Sequence, residues 1–250
     1  MSGHSKWSQI KRQKGINDNK RGQAFTRLGR EISSAAHEGG GDPAANFRLR
    51  LAVQRARDNN MPLDNIERAI KRGVGGGDSG SLDELSYEGY GPGGGAVIVQ
   101  VMTDNKNRTA GEVRHAFSRC GGNLGESGSV AWQFNDRGVI AVATNGHDPD
   151  EIELLAIDAG AVDVARGEDN ELEIQTEPSD LDAVRIALEG HDLEILNAER
   201  TLVPSTTVTL DRAQAAQMLR LVDKLEELDD VQKVYSNVDI ADEDMDAYEG

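Results

Sequence analysis

Three stretches within residues 17–75 place apolar side chains at the three-to-four-residue spacing of a buried helical face. Phe25, Leu28, Ile32 and Ala36 share one face of a first helix, which Gly39-Gly40-Gly41 ends; Lys20, Arg27 and Arg30 project from the opposite face. A second helix starts at Asp42-Pro43, a cap followed by a proline suited to the first helical position. Its two apolar stripes, Leu49/Ala52/Val53/Ala56 and Phe47/Leu51, predict burial on two sides. A third helix opens at Pro62 with Leu63, Ile66, Ala69 and Ile70 inward and Arg68, Lys71 and Arg72 outward. Gly73–Ser81 is a Gly/Ser/Asp linker and marks a domain boundary. Ahead of all this, residues 1–16 show no periodicity and are dense in Lys, Arg, Ser and Gly, which predicts an extended arm.

Beyond the linker the pattern alternates between strand and helix. Ala96–Thr103 is a strand rich in Val and Ile, Thr109-Ala110-Gly111-Glu112 is a capping box, and Val113, Ala116, Phe117 and Cys120 form the inward face of the helix it opens. Ser129–Phe134 is the next strand. Residues 138–204 then run strand, helix from Asp148-Pro149, two strands within 161–177, helix 179–189 and strand 193–202, the βαββαβ order of a ferredoxin-like unit. A strand at 206–210, a helix with Met218, Leu221, Val222 and Leu225 inward and a strand at 231–238 complete a second such set around it. The expected fold class is therefore α+β: a three-helix head (17–75), a ferredoxin-like domain (82–136 with 205–240) and a second ferredoxin-like domain (137–204) inserted into it. An acidic tail, 241–250, ends the chain, with fraying expected from Asp239.

Charge changes the picture more than composition does. The chain carries −17 overall, yet residues 1–75 hold 15 Lys/Arg against 7 Asp/Glu, a net of +8, which leaves −25 on the rest. A basic head on an acidic body predicts a polyanion partner met head first. The candidate contacts are Lys6, Trp7, Lys11, Arg12 and Lys14 on the arm, Lys20, Arg21, Arg27 and Arg30 on the first helix, and Arg68, Lys71 and Arg72 on the third; Trp7 is placed to stack on an unpaired base. Lys106 and Arg108, in the polar stretch Asp104–Thr109, form a possible second contact.

Other chemistries find little support. Cys120 is the sole cysteine, and the five histidines stand at unrelated spacings, so neither an intrachain disulfide nor a metal site is expected. The run from Gly89 to Gly95 precedes a strand and lacks a following Gly-Lys-Ser/Thr, which makes it a hinge rather than a phosphate loop. No nucleophile–base arrangement is visible, and neither a cofactor nor a small-molecule substrate is expected. No apolar run approaches the ~20 residues of a membrane span, and the polar, basic start lacks a signal-peptide core; the expected location is the cytoplasm.

Five separated stretches carry a resemblance. Gly3-His4-Ser5-Lys6-Trp7, Asn65-Ile66-Glu67-Arg68-Ala69-Ile70-Lys71-Arg72-Gly73, Tyr87-Glu88-Gly89-Tyr90-Gly91-Pro92, Thr103-Asp104-Asn105-Lys106-Asn107-Arg108-Thr109 and Gly121-Gly122-Asn123-Leu124 are similar to signature stretches of the YebC/PmpR family, in order along the chain. The resemblance implies a three-domain, non-enzymatic cytoplasmic protein, either a transcriptional regulator or a ribosome-associated translation factor of the kind that activates cytochrome c oxidase synthesis in mitochondria. Together with the basic head it favours RNA, ribosomal RNA foremost. Duplex DNA, read by the third helix in the major groove, is the alternative.

Overall fold

The computed structural model describes residues 18–75, 82–167, 170–241, 244, 245 and 248. Described residues up to 131, Leu210–Ser236 and those from 240 on form one compact unit, and Trp132–Thr209 with Asn237–Asp239 form another.

The first unit begins with three helices, α1 (Asp18–Gly39), α2 (Phe47–Asp58) and α3 (Leu63–Val74). Ile32, Ala35 and Ala36 of α1 meet Leu49, Ala52, Val53 and Ala56 of α2 and Ile66 and Ala69 of α3, with Met61 closing the core. Small residues set the closeness of α1 to α3. The Ser33 hydroxyl lies 2.9 Å from the Ala69 carbonyl it bonds, and a Cβ on Gly73 would sit 2.3 Å from the Ser33 backbone carbonyl oxygen. The cap of α2 is Asn46 rather than Asp42. Its Oδ1 accepts from Leu49 N–H at 3.0 Å while its Nδ2 donates to the carbonyls of Ala35 (2.7 Å) and Gly40 (2.8 Å). One buried amide thus serves three backbone groups, whereas Asp42 caps only a turn through Ala44 N–H. Of the second apolar stripe of α2, Leu51 is half-buried and the side chain of Phe47 lies outside the described ones, and Leu63 is 57% exposed rather than inward.

The chain continues as β1 (Asp83–Tyr90), β2 (Ala96–Thr103), α4 (Lys106–Arg119) and β3 (Asn123–Leu124). β1 went unrecognised in the sequence because its alternation is mostly between polar residues. The glycine run joins β1 to β2 as a packed 3₁₀ turn, Pro92–Gly94, rather than a hinge: a Cβ on Gly91 would meet Met218 Cε at 2.4 Å, and Gly93 holds φ +69°. α4 starts at the cap Asn105, earlier than the expected box at Thr109. The expected strand at Ser129–Phe134 is a turn followed by the 3₁₀ segment Ala131–Gln133. The physical reason is Glu88, 7% exposed, whose carboxylate accepts from the N–H groups of Gly128, Val130 and Ala131 at 2.7–2.9 Å. Those amides are spent on a side chain instead of a strand ladder.

The second unit holds β4 (Phe134–Ala143), α5 (Pro149–Asp158), β5 (Asp163–Arg166), β6 (Glu171–Thr176), α6 (Leu181–Glu189), β7 (Glu194–Pro204) and β8 (Val208–Thr209). Its sheet order β5-β6-β4-β7, antiparallel throughout, is the ferredoxin-like arrangement expected. α5 and α6 cover one sheet face, packing Ile152, Ala156, Leu181, Val184 and Leu188 onto Ile140, Val142, Leu172, Ile174 and Ala198.

The last elements are α7 (Arg212–Glu226), β9 (Val231–Ser236) and β10 (Val238–Asp239). α7 and β9 return to the first unit, whose sheet runs β3-β1-β2-β9 with antiparallel neighbours. Two strands before the first helix replace the expected βαββαβ order here, because β1 joins and the 129–134 strand does not. β8, expected in this sheet, pairs in parallel with β10 in the other unit. Ile240 is buried, so the chain is anchored past Asp239. No described helix is long and apolar enough to cross a membrane.

Candidate nucleic-acid interface

The arm positions Lys6, Trp7, Lys11, Arg12 and Lys14 lie outside the described residues, and Lys20 and Arg21 fall in a part of α1 whose side chains are likewise not described. The structure places the remaining candidates in two different settings.

Arg68, Lys71 and Arg72 are exposed on α3, and among the described residues none forms an ion pair with a carboxylate. They follow from the helical period: Ile66 and Ala69 face α1, and at about 100° of turn per residue Arg68 and Lys71 point away from that face while Arg72 lies at its flank. Arg68 Nε bonds the Asp64 carbonyl at 3.2 Å and its Nη2 reaches Asn65 Oδ1, which orients the guanidinium along the helix. Between α1 and α3 runs an open groove of about 410 Å³ lined by Phe25, Thr26, Gly29, Arg30, Met61, Asn65, Arg68, Ala69 and Arg72. Among the described residues three arginines and no carboxylate line it, in a chain with 44 acidic residues. Phe25 and Met61 give it an apolar part, and Asn65 and Thr26 supply hydrogen-bonding groups. Lys71 stands instead beside Asp64 and Glu67 in a shallower depression, where phosphate would meet like charge.

Arg27 and Arg30 do lie opposite the three-helix core, but that side of α1 meets acidic groups rather than solvent. Arg30 Nη1 is 2.9 Å from Asp230 Oδ1 and also donates to the carbonyls of Asp229 (2.5 Å) and Met102 (3.3 Å). Burial lowers the pKa of Arg27, with Glu226 and Asp229 opposing the shift and Arg30 adding to it. Arg30 therefore ties the head to the α7–β9 corner and Arg27 lies within the field of its carboxylates; of the two only Arg30 also lines the groove.

Lys106 and Arg108 are committed in a similar way. Lys106 pairs with Asp83 at 3.1 Å, and Arg108 Nη2 reaches Asp104 (2.9 Å) and Asp230 (2.7 Å). Asp230, 2% exposed, also accepts from the hydroxyls of Thr103 (3.0 Å) and Thr109 (2.6 Å). Burial opposes its charge, yet Arg108, the two threonines and Arg30 together hold its pKa below the ordinary value. This node leaves no trace in the sequence pattern, where Asp229-Asp230 merely precede the strand expected at 231–238. Nor did that pattern indicate that Phe25, assigned to the core, would line a groove.

Residues 5–76 match the family model described as "TACO1/YebC protein N-terminal domain", and residues 82–238 match "TACO1/YebC second and third domain". A "probable transcriptional regulatory protein" of Pelotomaculum thermopropionicum is 54% identical over 244 residues, 97% of this chain and 100% of the relative. One from Herpetosiphon aurantiacus with the same description is 53% identical, over 99% of this chain and 98% of its own. Among solved structures, a conserved hypothetical protein of Aquifex aeolicus superposes with a TM-score of 0.81 at 44% identity, covering 89% of this chain and 92% of that one.

Proposed function

The chain belongs to the TACO1/YebC family, and from that premise we propose that it is a cytoplasmic, nucleic-acid-binding regulator of gene expression that acts on translation by gripping RNA, ribosomal RNA foremost. The observation that carries this reading is the carboxylate-free groove with Arg30, Arg68 and Arg72 on its walls. Of these, Arg68 and Arg72 are exposed and, among the described residues, without a carboxylate partner, so their guanidinium groups are free to replace the counterions of a phosphate chain. The apolar side of the groove suits an unpaired base, and the arm with Trp7 supplies a second stacking group. The acidic remainder repels phosphate, which confines contact to the head.

The test is a titration of the full chain against ribosomal RNA and against duplex DNA across a salt series. Arg68→Ala with Arg72→Ala should flatten the slope of log affinity against log salt by roughly 1.4 to 1.8 units if each engages one phosphate. An unchanged slope removes the groove from the interface. The relatives' description as transcriptional regulators favours a second reading, duplex DNA read by α3. Trp7→Ala separates the two. It should weaken RNA binding about tenfold, the low end of a base–aromatic stack, and leave duplex DNA untouched. If it is silent on RNA while Arg72→Ala abolishes preference for one duplex sequence, the transcriptional reading takes over.

A further inference from the structure

The inserted domain has a second, separate surface. Residues 137–204 contain 4 Arg, no Lys and 17 Asp/Glu, a net of −13. Each of those arginines is neutralised internally or at the domain's edge: Arg137 by Glu177, Arg166 by Asp150, Arg185 by Asp182 and Glu189, and Arg200 by Asp136. No uncompensated cation therefore remains on this domain to attract a polyanion.

In the middle of this acidic field stand large aliphatic side chains that the fold leaves uncovered. α5 and α6 lie side by side on one sheet face and bury Ile152, Ala156, Val184 and Leu188 against it. On the other side of the same helices Leu154 is 63% exposed, Ile157 52% and Ile186 54%. Leu154 and Ile157, three residues apart, share one face of α5. Their helical neighbours Glu151 and Asp158 are exposed and, among the described residues, unpaired. An apolar centre with a charged rim on an otherwise hydrophilic domain is the composition of a protein-binding surface rather than of a solvated helix layer.

We propose that the outer face of α5 and α6 docks a basic protein surface whose Lys/Arg residues surround an apolar centre. Charge decides the occupant. A second copy docked through this same domain would bring −13 against −13, and nucleic acid or anionic lipid would be repelled in the same way. Only a cationic polypeptide gains from both the apolar centre and the acidic rim.

The experiment measures binding of a fluorescent Leu/Lys amphipathic helical peptide to the full chain, with an all-Lys peptide of equal charge as control. The test variant is Leu154→Ser with Ile157→Ser and Ile186→Ser, three exposed positions whose change should leave the thermal transition in place. The expected result is an affinity for the amphipathic peptide at least about tenfold lower in the variant, with ribosomal RNA binding unaltered. The all-Lys peptide should bind much more weakly than the amphipathic one to the unsubstituted chain. Equal affinity of chain and variant, or equal binding of the two peptides, overturns the proposal. So does a concentration-dependent dimer in sedimentation that the variant abolishes, because the occupant would then be a second copy. RNA binding lowered together with peptide binding would count against the head groove as the RNA site and leave this surface standing.

Discussion

Replacing Asp230 by Asn tests the junction between head and sheet at its centre. The substitution keeps the shape and removes the charge on which Arg30, Arg108, Thr103 and Thr109 converge. Both threonines are fully buried, so their hydroxyls lose a charged acceptor with no water to replace it, at ~1.5 kcal/mol each taking the low end for such bonds. Arg30, 20% exposed, loses its carboxylate partner, while Arg108, 44% exposed, adds little because solvent screens it. The total, ~3–5 kcal/mol, is that expected for breaking a buried pair. At ~2–4 °C per kcal/mol for a chain of this size, the first unit's melting transition should fall by about 10 °C in calorimetry. The pH dependence has a definite sign. The folded pKa of Asp230 lies below its ordinary 3.8, so its stabilisation is complete above that value and is lost as pH falls through the folded pKa. The two proteins should therefore converge in strong acid. Arg30→Gln combined with Asp230→Asn should cost clearly less than the two changes apart. A fall of under ~2 °C, or strict additivity with Arg30→Gln, would show that the four donors are not coupled through this carboxylate.

Two further outcomes are expected. Glu173 is mostly buried and its Oε1 has no hydrogen-bond partner; burial raises its pKa against the opposing bond from Gln175, and Asp163 adds to the rise. Unfolded chains therefore ionise first as pH rises, stability falls with pH, and Glu173→Gln should stabilise the inserted domain by about 1 kcal/mol at neutral pH with the gain vanishing near pH 4 in parallel urea titrations. Gly73→Ala puts a methyl 2.3 Å from the Ser33 carbonyl and 2.7 Å from the Ala36 Cβ, which should cost ~1–3 kcal/mol by forcing α1 and α3 apart and should weaken RNA binding with it; an unchanged melting point would show that the two helices separate freely.

What could be seen in the sequence was what repeats. Ile32, Leu49, Ile66 and the inserted domain's strands and helices announce themselves by period, since burial on one face imposes that period directly. The misplaced elements share another cause: a single polar side chain redirects the backbone. Asn46 takes the α2 cap from Asp42, Asn105 takes the α4 cap from Thr109, and Glu88 draws the amides of Gly128, Val130 and Ala131 out of a strand. None of these roles leaves a periodic trace, because each depends on partners brought near by the fold. The same holds for the interface. Arg68, Lys71 and Arg72 were legible as an outward face, but whether a cation remains free depends on remote carboxylates, and Asp230, 200 positions along the chain from Arg30, could not be assigned to it from spacing.

The pairing of β2 with β9 has a consequence for the order of synthesis. β2 is made early, yet the strand that covers its second edge, Val231–Ser236, leaves the ribosome only after the whole inserted domain. During that interval the inserted domain can complete its own sheet, while β2, almost wholly apolar, keeps a bare edge of the kind that recruits stray strands. The Asp230 carboxylate that fastens the head arrives one residue ahead of β9. Closure of the sheet and docking of the head thus fall together once residues 230–236 emerge, and a nascent chain stalled before Val231 presents a finished inserted domain and an unfinished first one.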